Sequence, residues 1–279
     1  MTAPVLALSE LARSFGGVMA VDGVSIAVPG GKITGLIGPN GAGKTTVFNM
    51  ISGFYKPDHG RLVFEGRDIT RLQPHRICQL GIARTFQNIR LFYNATAIEN
   101  VMVGCHVRRK KQWWMPLVMW PGTRREERAI RDQSAALIHR LGLDSYINEK
   151  AGSLPYGAQR RLEIARALAT EPSFLLLDEP AAGMNPQESE ELMHFIRRIR
   201  DEFRLTILLI EHDMKVVMGV CERIWVLEYG RLIAEGTAEE IRDNPRVIEA
   251  YLGDTIDSLD DPSGSGFGVV AEEARHAEN

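Results

Sequence analysis

The sequence predicts an α/β fold: a largely parallel sheet with helices on both faces, an antiparallel β lobe before it and a helical lobe within it. Three observations predict it. The apolar runs Lys32–Ile37, Phe174–Leu177 and Thr206–Ile210 show no polar alternation, as expected of strands buried on both faces. Stretches with apolar residues at three- and four-residue spacing separate them, as helices must in a parallel sheet. The first third instead carries short β-branched and apolar runs with glycine-rich turns at Gly16-Gly17, Gly30-Gly31 and Gly66.

Taken in order, strands are expected at Leu6–Leu11, Ala20–Val28, Lys32–Ile37 and Arg61–Phe64. From about residue 74 the pattern becomes helical, with clear periodicity around 96–105 and 124–141, where Ile130, Leu137, Ile138 and Leu141 share a face. Phe174–Leu177 is a strand. Pro186–Phe203 is an amphipathic helix with Leu192, Phe195, Ile196, Ile199 and Phe203 on one side. Thr206–Ile210 is the next strand, and Arg223–Leu227 with Arg231–Ala234 form a hairpin around Tyr229-Gly230. Asn244-Pro245 starts a further helix.

The composition, 44% hydrophobic and 25% charged over 279 residues, suits one large globular domain. No apolar run is long enough to cross a bilayer. The apolar patch Val5–Leu8 has no basic residue ahead of it, so no secretory signal is expected. Three cysteines, Cys78, Cys105 and Cys221, lie far apart and suggest neither a disulfide framework nor a zinc site. The net charge is −3, but residues 254–279 hold seven acidic groups and one Arg, a local −6 that leaves +3 elsewhere. That segment also holds Pro262-Ser263-Gly264-Ser265-Gly266 and reads as an acidic disordered tail.

Gly38-Pro39-Asn40-Gly41-Ala42-Gly43-Lys44-Thr45 fits a phosphate-binding loop at every required position. It lies between the apolar run Ile33–Ile37 and the helix-compatible Thr46–Ile51, the strand–loop–helix context that the motif requires. Glycines let successive N–H groups turn inward toward phosphate oxygens. Lys44 is then expected to reach the β- and γ-phosphates, and Thr45 to bind Mg²⁺. A second signal is Phe174-Leu175-Leu176-Leu177-Asp178-Glu179-Pro180, where an apolar strand delivers two carboxylates to its C-terminal end, the ligand edge of such sheets. Asp178 is expected to support Mg²⁺, and Glu179 to orient and polarise the attacking water. No Asn-Lys-x-Asp guanine reader occurs, which disfavours a GTPase.

Leu154-Pro155-Tyr156-Gly157-Ala158-Gln159-Arg160-Arg161, running into Leu162–Leu168, resembles the signature motif of the ATP-binding cassette ATPases, a branch of the P-loop NTPase core fold. His212, after Ile207–Ile210, is similar to that family's switch histidine, and Gln87 in Thr85-Phe86-Gln87-Asn88 to its Q-loop glutamine. Phe15 occupies the place of the aromatic that stacks on adenine. The resemblance covers about residues 5–253, taken as one nucleotide-binding domain with a helical lobe at about 88–165. Ala83–Gln87, Arg160–Arg166, Asp178–Pro186, Ile210–Met218 and Ala250–Gly253 narrow it to the LivG-type ATPases of branched-chain amino acid importers.

The resemblance implies an ATPase that works as a head-to-tail dimer with two ATP molecules at the interface. Each ATP lies between the phosphate loop of one subunit (Gly38 to Thr46) and the signature of the other (Pro155, Tyr156, Gly157, Ala158, Gln159). Gln87, Glu179 and His212 are implied as catalytic groups, and Thr45, Gln87 and Asp178 as the Mg²⁺ set. Implied partners are two permease-type membrane subunits, a LivF-like companion or a second copy, and indirectly a solute-binding protein, with the chain peripheral on the cytoplasmic face of the cell membrane. Urea or a short amide as the solute, or a soluble cassette protein outside transport, are alternatives. Two departures stand out. Pro155 replaces the signature serine, so the N-terminus of the helix beginning near Gly157 is expected to take over its phosphate contact. Asn185 replaces the D-loop aspartate, keeping an acceptor and losing a charge. The insertion His106–Arg128 carries seven Lys or Arg and Trp113, Trp114 and Trp120. It suits a membrane or partner contact, or packing of the tryptophans on the helical lobe; no nucleic-acid module surrounds it.

Overall fold

Continuous burial marks the strands at the centre of the molecule. In a computed structural model, which describes residues 4–105 and 121–251 (side chains of 121–125 excepted), β3 (Ile33–Ile37), β7 (Phe174–Asp178) and β8 (Thr206–Ile210) are buried along their whole length. With β6 (Ile82–Arg84), β9 (Arg223–Glu228) and β10 (Arg231–Gly236) they form a six-stranded sheet of order β10-β9-β3-β8-β7-β6. It is parallel throughout except for the pairing of β9 with β10. That hairpin turns at Tyr229-Gly230, both at positive φ. β1 (Leu6–Phe15), β2 (Val18–Val28), β4 (His59–Phe64) and β5 (Arg67–Asp68) make a second, antiparallel sheet of order β2-β1-β4-β5.

Alternation along the parallel strands divides the core. Leu36, Phe174, Leu176, Leu208, Ile210, Trp225 and Leu227 face one side, where they join α1 (Lys44–Ile51) and the inner residues of the antiparallel sheet. Ile33, Ile37, Leu175, Leu177, Ile207, Leu209 and Val226 face the other, joining α5 (Tyr156–Leu168), α6 (Pro186–Phe203) and α7 (Met214–Val220). The helix that follows the phosphate loop thus shares one core with both sheets. Each fully buried Leu, Ile or Phe contributes roughly 1.5–3 kcal/mol, and truncating Leu176 to Ala would cost about 2–5 kcal/mol.

The helical residues between β6 and β7 pack on the second core. α3 (Ala97–Cys105) lies against both α4 (Pro121–Arg140) and α5, with Val101, Ile138, Leu141 and Leu162 buried together. The end of the basic insertion is the first turns of α4. Trp113, Trp114, Trp120 and the acidic tail lie outside the described residues. α6 has the bounds expected of it and starts in a capping box: Asn185 Oδ1 accepts from Glu188 N and Glu188 Oε2 from Asn185 N, both at 3.0 Å. The last helices are α8 (Ala238–Arg242) and residues 245–251, after Asn244 as expected.

One expectation fails. The chain is not simply helical from residue 74: after α2 (Pro74–Leu80), Gly81 ends the helix in the left-handed region and the next three residues form β6, parallel to β7. Three residues are too few to show a period, and this strand exists through its pairing, Ile82 to Phe174, Ala83 to Leu175 and Arg84 to Leu176. Its end launches the segment that carries Gln87.

Candidate functional site

The loop between β3 and α1 is shaped by its glycines. Gly38 has φ 147, and a Cβ there would stand 2.0 Å from the Leu227 carbonyl oxygen. Gly43, the N-cap of α1, has φ 98, and a Cβ would stand 2.3 Å from the Ala20 oxygen. Neither position accepts a side chain. Among the described residues no side chain caps α1, and its first-turn N–H groups face the loop. Lys44 is buried and folds back, donating from Nζ to Gly38 O at 2.7 Å and Pro39 O at 2.8 Å. Asn40, Gly41 and Thr45 are exposed, whereas Pro39, Thr46 and Gly43 are half-buried and Ala42 is buried. Phe15, at the end of β1, is 39% exposed; Tyr55 meets its ring edge-on at 5.1 Å and the Arg13 guanidinium lies 4.8 Å from its centre.

Three groups meet at the end of β7. Gln87 Nε2 donates to Glu179 Oε2 at 2.7 Å, and His212 Nδ1 lies 3.7 Å from the same oxygen. Glu179 has φ 45, an unfavourable backbone for a non-glycine residue, held by its N–H to Ile210 O at 2.9 Å. Asp178, one residue earlier, is buried and takes Arg84 on Oδ2 at 2.7 Å. Its Oδ1 and the Gln87 Oε1 accept nothing from the described residues. Glu211, next to His212, is fully buried and accepts from Ala181 N at 2.7 Å and His212 N at 3.2 Å. Burial raises its pKa above the ordinary carboxylate value, and the backbone donors oppose that only in part.

The signature residues lie on and before α5. Pro155 is its N-cap, with extended ψ and no side-chain cap, so the helix starts at Tyr156, one residue before Gly157. Among the described residues outside its own helix turn, nothing stands within 4 Å of where a Cβ on Gly157 would be. Gln159 Nε2 donates to Leu154 O at 2.8 Å, Ala158 is buried, and Tyr156 OH donates to Ala182 O at 2.8 Å, tying the signature to the segment after Glu179. A cleft of about 350 Å³ beside it is bounded by Tyr146, Pro155, Gly157, Arg161, Glu188 and Glu191, among others. Asn185 keeps the acceptor expected of it, and its Oδ1 caps α6.

The family model described as ABC transporter matches residues 21–182, and one described as branched-chain amino acid ATP-binding cassette transporter matches residues 231–257. The chain belongs to the ABC transporter family. It is an ABC-type ATPase. The cassette is 47% identical over 254 residues to the high-affinity branched-chain amino acid transport ATP-binding protein BraF of Pseudomonas aeruginosa, covering 91% of this chain and 100% of that protein. It is 48% identical, over the same shares, to LivG of Salmonella typhimurium, which bears the same description. Among solved structures, an ATP-binding cassette of an ABC transporter in its ADP conformation matches with TM-score 0.79 and 33% identity, over 90% of this chain and 100% of that one.

Sequence reasoning about this cassette missed the side chains that hold the site from behind. Arg84 binds Asp178 on one arm and Asn49 Oδ1 and Ser52 Oγ of the phosphate helix on the other. Arg160 and Glu163 pair at 3.0 Å with 0% and 2% side-chain exposure. Arg160 donates to Phe86 O and Gln87 O, and Glu163 accepts from Phe86 N and Arg90 N. The i, i+3 spacing of this pair was visible, but nothing in the spacing says that it points inward.

Proposed function

We propose that this chain is the ATP-hydrolysing subunit of an importer for branched-chain amino acids. It forms half of a head-to-tail pair that closes over two ATP molecules. The observation that carries the chemistry is the meeting of Gln87, Glu179 and His212 on one carboxylate oxygen, at the end of β7, which β8 separates from the strand that leads into the phosphate loop. The solute class rests on the relatives' function and the match over residues 231–257.

In this reading Phe15 stacks adenine and Gly38 to Thr46 surround the phosphates, Lys44 exchanging the Gly38 and Pro39 carbonyls for the β- and γ-phosphates. Thr45, Gln87 and Asp178 would hold Mg²⁺. Their donors are oxygens, as this hard ion requires, and two of them, Asp178 Oδ1 and Gln87 Oε1, have no competing donor among the described residues. When bound, Mg²⁺ neutralises charge on the β- and γ-phosphates. Glu179 takes the proton of the water that attacks the γ-phosphorus, ADP leaves, and His212 senses the γ-phosphate. The open end of α5, with the N–H groups of Tyr156, Gly157 and Ala158, contacts the partner's γ-phosphate in place of the serine hydroxyl that Pro155 lacks.

We take residues 1–253 as the nucleotide-binding domain, its helical lobe at about 88–165, and 254–279 as a tail. No helix among the described residues is long and apolar enough to cross a membrane; two permease subunits would hold the chain at the cytoplasmic face. A cleft of about 270 Å³ between the Gln87 segment and the helical lobe, with Phe54 and Val103 on its rim, offers them a seat. The other ATPase is a LivF-like companion or a second copy. The test is reconstitution of the copurified membrane complex with its binding protein. Leucine, isoleucine or valine should stimulate ATP hydrolysis; stimulation by urea or a short amide alone would reject the solute class.

A further inference from the structure

Arg84 does more than neutralise a buried acid. Asp178 is 4% exposed, and a carboxylate so placed costs several kcal/mol unless a charge meets it. Arg84, its side chain 7% exposed, meets it at 2.7 Å. The same planar group reaches Asn49 Oδ1 at 2.7 Å and Ser52 Oγ at 2.9 Å with its other arm. The rings of Phe48, Phe54 and Phe86 surround the guanidinium at 5.7, 6.0 and 5.2 Å. Both ends of the fork are therefore fixed: one to the helix that follows the phosphate loop, the other to a single oxygen of Asp178.

We propose that Arg84 is a positioning residue for the metal step: by taking Asp178 Oδ2 it commits Oδ1 to Mg²⁺ and sets that oxygen's direction relative to the phosphate helix. This rests on the reading of Asp178 as part of the Mg²⁺ set. Groups that orient a metal-binding carboxylate typically shift metal affinity 10–100-fold when replaced. A lysine keeps the charge but cannot reach Asp178, Asn49 and Ser52 in one plane, so Arg84→Lys separates direction from charge.

The experiment titrates Mg²⁺ into the full chain with a fluorescent ATP analogue bound, and repeats the analogue binding in EDTA. Arg84→Lys should raise the Mg²⁺ concentration for half-saturation about tenfold, leave metal-free analogue affinity within about threefold, and lower kcat more than it raises KM for ATP. A second variant, Asn49→Ala with Ser52→Ala, leaves the ion pair and frees the other arm; it should shift Mg²⁺ half-saturation in the same direction by about threefold, and it decides the matter if Arg84→Lys does not fold. Mg²⁺ half-saturation within twofold of the parent in whichever of these folds would overturn the inference. A parent protein whose nucleotide binding ignores Mg²⁺ altogether would instead overturn the metal reading of Asp178, and this inference with it.

Discussion

Arg84 and Arg160 are both buried, and both hold a carboxylate, at 2.7 and 3.0 Å, yet they grip different kinds of structure. Arg84 binds side chains, and its acid, Asp178, keeps an oxygen at the end of β7 that accepts nothing from the described residues. Arg160 binds main-chain carbonyls of Phe86 and Gln87, and its acid, Glu163, takes main-chain N–H groups of Phe86 and Arg90. On the proposed reading of Asp178 the first pair prepares a metal ligand; the second fastens a loop to a helix. The signature helix and the Gln87 segment are thereby one unit, and Gln87 in turn touches Glu179. A buried ion pair serves two purposes in one molecule, and the partners of its second carboxylate oxygen tell which.

Breaking the fastening pair should give the largest effect. Arg160→Met leaves Glu163 charged and alone, a loss of about 3–5 kcal/mol, or a midpoint lowered by roughly 6–20 °C in thermal unfolding. The double variant Arg160→Met with Glu163→Leu should recover most of that stability while the loop remains unfastened, visible as faster proteolysis within 86–90. If the single variant melts with the parent, the pair does not fasten anything.

The two ends of the nucleotide sandwich should also respond differently to added side chains. Gly38→Ala drives a Cβ into the Leu227 carbonyl, so nucleotide affinity should fall at least about tenfold, since the loop must shift. At Gly157 the Cβ position is open. Gly157→Asp should therefore keep the fold within about 1 kcal/mol and the chain's own nucleotide binding, yet lose the nucleotide-locked pair. A Gly157→Asp protein that still pairs would remove the helix end from the phosphate contact.

The smallest effect concerns Glu211, which ties Ala181 to His212. Because burial raises its pKa, the folded state holds the proton to higher pH than the unfolded chain does. Its contribution to stability is thus present at the acid end and lost as pH rises through the folded-state value. Glu211→Gln should flatten that part of the stability profile above pH 4.5, the ordinary glutamate value; an unchanged slope there in denaturant melts would contradict the raised pKa.

Much of this was readable beforehand. Pro186–Phe203 and Thr206–Ile210 declare themselves by amphipathic period and by continuous apolar content, and both match at each end. The phosphate loop and the Asp178-Glu179 strand end are local in sequence, so their residues and their surroundings come together. β6 was not local: its pairing with β7 joins residues more than ninety positions apart. With that strand hidden, Arg84 could not be seen to stand beside Asp178. The cap at Asn185 is the opposite case, since Asn-Pro followed by Glu188 spells a capping box in four residues; reading that position for its lost charge obscured it.

The central claim is that this cassette completes its site only by closing on a partner over ATP. The direct measurement is the mass in solution of a Glu179→Gln protein, by light scattering with saturating ATP and Mg²⁺, alone and with the companion ATPase co-expressed. A doubled mass with ATP is expected in one of those two settings, reverting with ADP. A protein that binds ATP and stays monomeric in both would contradict it.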